Sequence, residues 1–420
     1  MTGPFTICWV ETDDSGGLAH FSFQACEALA QAGNDVTMIA PAGNELAGLP
    51  RSFTMRDELH LWPVVDQANA GRSTGAGGLA TKLRQALRRL PRAWRLVAAW
   101  RQITQSVLAE QPDCVVVPPL PFAFLSLFVA RLARGGQVVV QMCHEFERRD
   151  VRNRFTARLS RRLGTKAYKY LSGVFVLSET TRVDLVDFGV PARMIHVIPH
   201  GNEDILFRTS ANPDLVRERY ELSATERIVL FFGRIRPTKG VDDLIRAFTL
   251  AQEQRHSNRD SDGHRGHLLV VGSPTKAVST QSLTELARSG ASSQITLDFR
   301  YVPLEEVPSL VTAAEIIVLP YRSATQSGIL HAAFTGGRAV IATSVGGLAE
   351  DIEDGVSGLL VAPGDIDALA RSIVRLLDDP HLAERLGAKG ATLARTKHSW
   401  ANVASAMSAG FANALHPDSS

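Results

Sequence analysis

Four cysteines in 420 residues, Cys8, Cys26, Cys114 and Cys143, are too few and too far apart for a disulfide framework. None forms a C-x-x-C pair of the kind that holds zinc, so the spacing suits buried free thiols in a reducing compartment. The chain also lacks charge of one sign. Its 45 Lys and Arg against 43 Asp and Glu give +2, which argues against a protein that coats nucleic acid. The longest apolar run, Leu120 to Ala130, ends at Arg131, well short of the roughly 20 residues a spanning helix needs. The start, Met-Thr-Gly-Pro, carries neither the basic stretch nor the cleavage site of a signal peptide, so a cytoplasmic protein is expected. Signatures of familiar chemistries are missing too: there is no G-x-S-x-G, P-loop lysine motif or H-E-x-x-H. Asp365-Ile-Asp367 reads as a helix cap and Asp260-Ser-Asp262 as part of a polar loop. Neither a metal site nor a covalent nucleophile is therefore expected.

What is present is apolar residues, 45% of the chain, enough for two cores in a length that exceeds one. Strands are predicted at Phe5–Val10, Val36–Ala40, Cys114–Val117, Val138–Cys143, Gly173–Leu177 and Ile195–Pro199. After a polar break they recur at Ile228–Phe232, His267–Val271, Gln294–Phe299, Glu315–Leu319, Ala339–Ala342 and Gly358–Val361. Runs such as Val115-Val-Val117 are apolar at every position, the pattern of parallel strands covered on both faces. Helical spacing fills the intervals, for example Leu18, Phe21, Ala25 and Leu29. Alternating βα units make this an α/β protein of two Rossmann-like domains of about six strands each. The join falls near His200–Ser223, and polar loops are expected at 71–78 and 255–266.

Ligands of open α/β sheets bind outside the carboxyl ends of the strands, which directs attention to those loops. Gly16 and Gly17 precede the first long helix and could let backbone N–H groups approach an anion; a tight turn accounts for them equally well. In the second half, Gly233-Arg234-x4-Lys239-Gly240 follows a strand and opens a helix, and the two cations suit a diphosphate better than bulk water. Gln326, Ser327 and Gly328 begin a further helix whose free N–H groups could hold a phosphate or sugar oxygen. Gly346, Gly347 and Glu350 follow the next strand, with Glu350 a candidate acceptor for a ribose diol. His144 ends a buried strand, where a structural and a functional role are equally open; His200-Gly201-Asn202 reads as a turn at the junction.

These residues resemble the retaining GT-B glycosyltransferases of family 4 along almost the whole chain. The specific pieces are Gly233 to Gly240, Leu319 to Gly328, Ala339 to Glu350 and Asp354 to Asp365, with Pro199-His-Gly-Asn202 and Gly16-Gly17 as supporting features. The resemblance implies two Rossmann-like domains whose parallel sheets face each other across a cleft. Residues 1–203 would hold the acceptor, 204–395 a nucleoside diphosphate (NDP) sugar, and 396–420 a helix returning to the first domain and a tail. It implies that Arg234 and Lys239 neutralise the donor diphosphate and that His144 lies near the sugar. Gly16, Gly17, Gly233, Gln326, Ser327, Gly328, Gly346, Gly347 and Glu350 would contact or support the donor. Such chemistry needs positioning and electrostatics, with no metal or other cofactor.

One departure stands out. Where the family has two glutamates with seven residues between them, alignment on Gly328 places Thr325 and Ala333. The leading reading is retaining transfer of a sugar in polysaccharide or glycoconjugate synthesis, to a glycan, lipid-linked or small-molecule acceptor. A sugar-nucleotide epimerase and a non-catalytic nucleotide-sugar-binding protein are the alternatives.

Two basic stretches point to peripheral contact with an anionic membrane. Residues 82–101 carry seven cations and no acid among leucines and two tryptophans; residues 148–169 carry nine cations against Asp150 alone. Solvated faces of Rossmann helices explain them as well, and Pro91 argues against one continuous helix in the first.

Overall fold

The computed structural model describes residues 4–60, 79–119, 123–144, 168–257, 265–290 and 292–416. Two compact units result. The first comprises Met1–Val176, Arg182–Ile198 and Ala404–Ser420, the second Leu177–Thr181 and Pro199–Val403.

The first unit is built on strands β1 (Thr6–Val10), β2 (Asp35–Pro41), β3 (Thr54–Leu59), β4 (Cys114–Val117), β5 (Val138–Cys143), β6 (Gly173–Val176) and β7 (Ile195–Val197). They form one parallel sheet in the order β3-β2-β1-β4-β5-β6-β7. Its centre is the valine-rich pair β4 and β5, where Val115, Val116, Val117, Val139 and Val140 have no exposed surface. Both faces of these strands are covered, with only Val138 at the start of β5 partly exposed, which is why the sequence shows no alternation. Phe411, on the helix Trp400–Leu415, packs edge-on against Phe175 at 5.2 Å and against Phe5 at 6.3 Å. All four cysteines are buried free thiols.

The second unit carries β8 (Arg227–Phe232), β9 (Gly266–Val271), β10 (Ile295–Asp298), β11 (Ile316–Leu319), β12 (Ala339–Thr343) and β13 (Leu359–Val361). They pair in parallel in the order β10-β9-β8-β11-β12-β13. Each unit is therefore an open parallel α/β sheet whose order reverses beside its first strand, at β1/β4 and at β8/β11, and such a reversal opens a crevice at the strand ends.

Two expectations need correcting. Strand β3 had not been foreseen: Thr54-Met-Arg-Asp-Glu-Leu59 has no β-branched run and carries three consecutive charges. It is tolerated because it is an edge strand, with Arg56 paired to Glu110 at 2.6 Å and Asn44 donating to Asp57 at 2.9 Å. Pro91, in turn, does not end its helix, which runs from Leu79 to Glu110; a missing N–H removes one rung of the backbone ladder without stopping the rest. The stretch 148–169 lies outside the described residues except for its last two positions, and the loop 71–78 lies outside them altogether. Among the described residues no helix is long and apolar enough to cross a membrane.

Candidate active site

In the second unit, loops at the carboxyl ends of β8, β9, β11 and β12 meet through backbone contacts that only glycine permits. Gly240 has φ +62°, and a Cβ there would lie 2.0 Å from the Pro320 carbonyl oxygen. A Cβ on Gly272 would lie 1.8 Å from the carbonyl oxygen of Gly233, which itself has φ +120°. Gly346, at φ +46°, faces the Ala324 carbonyl in the same way. The glycines noticed in the sequence thus bring the loops together, whatever else they contact.

Arg322 ties the first and third loops. Its backbone N–H donates to the Thr238 carbonyl at 2.8 Å, and its guanidinium reaches Pro237 O at 3.1 Å. The same group bonds Asp243 at 2.8 and 2.9 Å and Asp242 at 2.7 Å, and these bonds hold its pKa above the usual value. This clamp was not among the expected site residues. Its signal was the Asp242-Asp243 pair at the start of the helix Val241–Ser257, with a cation in the loop after β11.

Within this frame Lys239 places its ammonium 3.5 Å from the centroid of the Tyr321 ring. Tyr321 is buried, and its hydroxyl lies 3.2 Å from Ser327 Oγ. Ser327 stands at the N-cap position of the helix Gly328–Thr335 without a side-chain bond to its N–H groups, and the leading N–H groups have no partners within the helix. Lys239, Tyr321 and Ser327 therefore form a continuous line from a cation to a helix N-terminus. Arg234, just past β8, is exposed. A cation, a second cation in the same loop and a helix N-terminus are the elements that neutralise a phosphate.

Gln326 and Glu350 have internal partners. The Gln326 amide nitrogen donates to Asp351 Oδ2 at 2.9 Å and to the Leu177 carbonyl at 3.1 Å, while its oxygen accepts from the Ser327 N–H at 2.9 Å. Glu350 accepts from the backbone N–H groups of Glu179 and Thr180 at 2.7 and 2.8 Å, and from the Thr180 hydroxyl at 2.6 Å. Its carboxylate caps the helix Glu179–Phe188. Gly347 donates its N–H to Thr325 at 3.0 Å, and a Cβ on Gly328 would lie 3.0 Å from the buried Glu203 carboxylate. Glu203 was not foreseen: it stands in the turn after β7, with its N–H donating to Thr335 Oγ1 at 3.0 Å.

Behind this helix His331, Asp351 and His398 converge, with His200 stacked on His331 at 4.1 Å. Burial opposes ionisation of Asp351, yet His331, His398 and Lys397 hold its carboxyl well below the usual range. Burial pushes the His398 imidazole down to about 4. The sequence showed no metal-ligand spacing because these residues come from three separate segments.

In the first unit, Gly16 has φ +83° and begins the helix Gly17–Gln31. Its N–H donates to Glu45 Oε1 at 2.6 Å, and His20 Nε2 reaches the same oxygen at 2.7 Å. The anion at this helix N-terminus is thus a carboxylate of the chain itself. His144 follows β5 and meets the Phe21 ring edge-on at 4.8 Å; burial pushes its imidazole down to about 4. It is therefore neutral at pH 7, able to hydrogen-bond but carrying no charge.

Two family profiles match the chain, one described as Glycosyltransferase Family 4 over residues 15–203, the other as Glycosyl transferases group 1 over residues 226–379. The chain belongs to glycosyltransferase family 4. Alpha-D-kanosaminyltransferase of Streptomyces kanamyceticus is 30% identical over 213 residues, 50% of this chain and 52% of that protein. The chain thus spans about half the length of the curated relatives it matches. Sucrose-phosphate synthase of Thermosynechococcus elongatus superposes with a TM-score of 0.69 at 20% identity, covering 98% of this chain and 99% of that one. Anabaena Alr3699/HepE in complex with UDP-glucose gives 0.67 at 15% identity, covering 97% and 100%. These likenesses show that the fold is GT-B.

Proposed function

We propose that this family 4 member transfers a sugar from an NDP-sugar to an acceptor hydroxyl with retention of the anomeric configuration. The observation that carries the reading is the alignment of Lys239, Tyr321 and Ser327 at the N-terminus of the helix Gly328–Thr335, with Arg234 in the same loop as Lys239. When the bond from the anomeric carbon to the diphosphate breaks, negative charge builds on the departing phosphate oxygens. Cations and oriented N–H groups already in place stabilise that charge without reorganising, which is the largest single contribution such a site can make. Gly233, Ser327 and Gly328 would approach the diphosphate through their backbone. Gln326, Gly346, Gly347 and Glu350 would support those loops from behind. His144, neutral at pH 7, would hydrogen-bond a sugar hydroxyl.

Residues 204–395 would form the donor half and 1–203 the acceptor half, completed by 396–420. The acceptor would be a glycan, a lipid-linked sugar or a small molecule. UDP-glucose, held by the Anabaena structure, is the first donor to test. A cytoplasmic enzyme working at an anionic membrane surface through 82–101 and 148–169 accords with those basic stretches.

The test is incubation with a panel of NDP-sugars, with and without candidate acceptors, following NDP release and the anomeric proton of the product. Acceptor-dependent release with an unchanged anomeric configuration supports the proposal. Conversion of the donor to its epimer, or binding without turnover, refutes it.

A further inference from the structure

We propose that His331, Asp351 and His398 bind one divalent transition-metal ion of the zinc class, in a buried site that braces the helix Gly328–Thr335 from behind. His331 projects from that helix, Asp351 ends the helix Gly346–Asp351, and His398 stands just before the helix Trp400–Leu415. His331 and His398 have no exposed surface and Asp351 has 9%.

Hydrogen bonding leaves this cluster unexplained. Both ring nitrogens of His331 and Nε2 of His398 are buried with no hydrogen-bond partner. A buried polar atom without a partner costs about 1–3 kcal/mol, so three within one cluster call for a cause, and one ion would account for two of them. His331 Nε2 lies 3.4 Å from Asp351 Oδ2, and His398 Nε2 lies 3.7 Å from Asp351 Oδ1. These separations are long for hydrogen bonds. They are close to the edge of a tetrahedron, about 3.3 Å, that surrounds an ion at bonds of about 2.0–2.1 Å. One potential ligand atom from each residue falls within 4.8 Å of the others, so modest ring rotation brings all three onto one centre.

The surroundings set the lone pairs. His398 Nδ1 lies 2.9 Å from the His200 carbonyl, which can only accept, so Nδ1 carries a proton and Nε2 is the nitrogen left to face the carboxylate and an ion. Asp351 is itself oriented by Gln326 Nε2 at 2.9 Å, the kind of outer hydrogen bond a ligating carboxylate usually has, and it also pairs with Lys397 Nζ at 2.8 Å. Lys397 is half exposed, so its ammonium can turn to solvent when a dication enters. Two imidazoles and one carboxylate favour zinc over magnesium or calcium, which prefer all-oxygen sets, and leave a fourth position for water. Through Asp351 the ion would fix Gln326, whose oxygen holds the Ser327 N–H. Its role is positioning, and it does not touch the donor.

The experiment uses the full chain, purified without an affinity metal and stripped by a strong chelator. It is titrated with zinc chloride in a calorimeter and, in parallel, with cobalt chloride under a visible spectrometer. One equivalent of zinc should bind below micromolar concentration, the melting temperature should rise, and cobalt should give the intense visible bands of a four-coordinate centre. Ring ¹⁵N signals of two histidines should move on zinc addition, a readout that needs no variant. Asp351→Asn and His398→Gln should each lower zinc affinity at least tenfold. Absence of binding at ten micromolar zinc, unmoved ring signals, or undiminished binding in both variants would overturn the proposal.

Discussion

Lys239 and Tyr321 come from loops after different strands, β8 and β11, yet the ammonium of one lies 3.5 Å from the ring centre of the other. The ring holds a flexible cation in place, which a solvated lysine in a loop would not achieve. Sequence spacing suggested a phosphate-binding lysine; the buried aromatic beneath it is what gives that lysine a fixed position.

Replacing Lys239 or Arg234 by alanine should lower turnover about 100-fold, since a preorganised charge contact is worth roughly 3 kcal/mol in the transition state. Folding should persist, because Arg234 is exposed and Lys239 is partly so. Added Mg²⁺ or Mn²⁺ should not restore either variant. NDP release measured beside the melting temperature checks this, and near wild-type turnover in both variants removes the assignment.

Tyr321→Phe keeps the ring under Lys239 and removes only the contact with Ser327. A neutral hydrogen bond within the fold contributes about 1 kcal/mol, so stability should fall by about that much while donor KM rises only a few-fold through the looser Ser327. Tyr321→Leu removes the ring itself and should reduce turnover further. Steady-state kinetics over donor concentration separates the two effects.

Gly240→Ala sets a left-handed conformation, costing about 1–2 kcal/mol, against an overlap with the Pro320 carbonyl. Backbone must move to relieve it, and the first and third loops separate. Melting temperature and activity should both fall, as thermal denaturation and donor titration would show. By contrast Gly43→Ala, also at positive φ but with nothing within 4 Å of the added carbon, should lower stability alone.

Acid stability supplies a fourth prediction. The His144 imidazole is held at about 4 in the fold, against 6.5 for a free side chain. Between those values the unfolded chain binds the extra proton, so the stabilisation, complete above pH 6.5, is lost as pH falls toward 4. His196 and His267 are lowered in the same direction. His144→Phe preserves an aromatic contact for Phe21 and should flatten the fall in melting temperature between pH 6.5 and 4. An unchanged slope would show that the ring does not titrate in this way.

Co-sedimentation with vesicles containing anionic lipid should retain the protein at low salt and release it at high salt. Trp94, on the described part of the basic helix, is 74% exposed and gives a fluorescence signal for the same event. No retention at low salt would leave the arginines of 82–101 as a solvated face.

Strands apolar at nearly every position, such as Cys114–Val117 and Ile316–Leu319, made most of both sheets legible in the sequence, because residues covered on two sides leave few polar positions to confuse the pattern. The site loops were legible for a related reason: glycines at successive strand ends record close backbone approach. Gln326 and Glu350 were visible as site residues but not as braces, since their partners Asp351, Leu177, Glu179 and Thr180 become neighbours only on folding. Arg322, Glu203 and the cluster around His331 were hidden likewise, each joining segments far apart in the chain.

Strand β3 has a consequence for the molecule in company. A parallel sheet that ended on the apolar β2 would present an unpaired row of amides and carbonyls flanked by oily side chains, an inviting template for a neighbouring polypeptide. Arg56, Asp57 and Glu58 stand on that margin instead, two of them pinned by Glu110 and Asn44. A foreign strand docking there must desolvate charge at each step. The polar edge that hid β3 from sequence reading thus discourages fibre-like association when many copies fold at once.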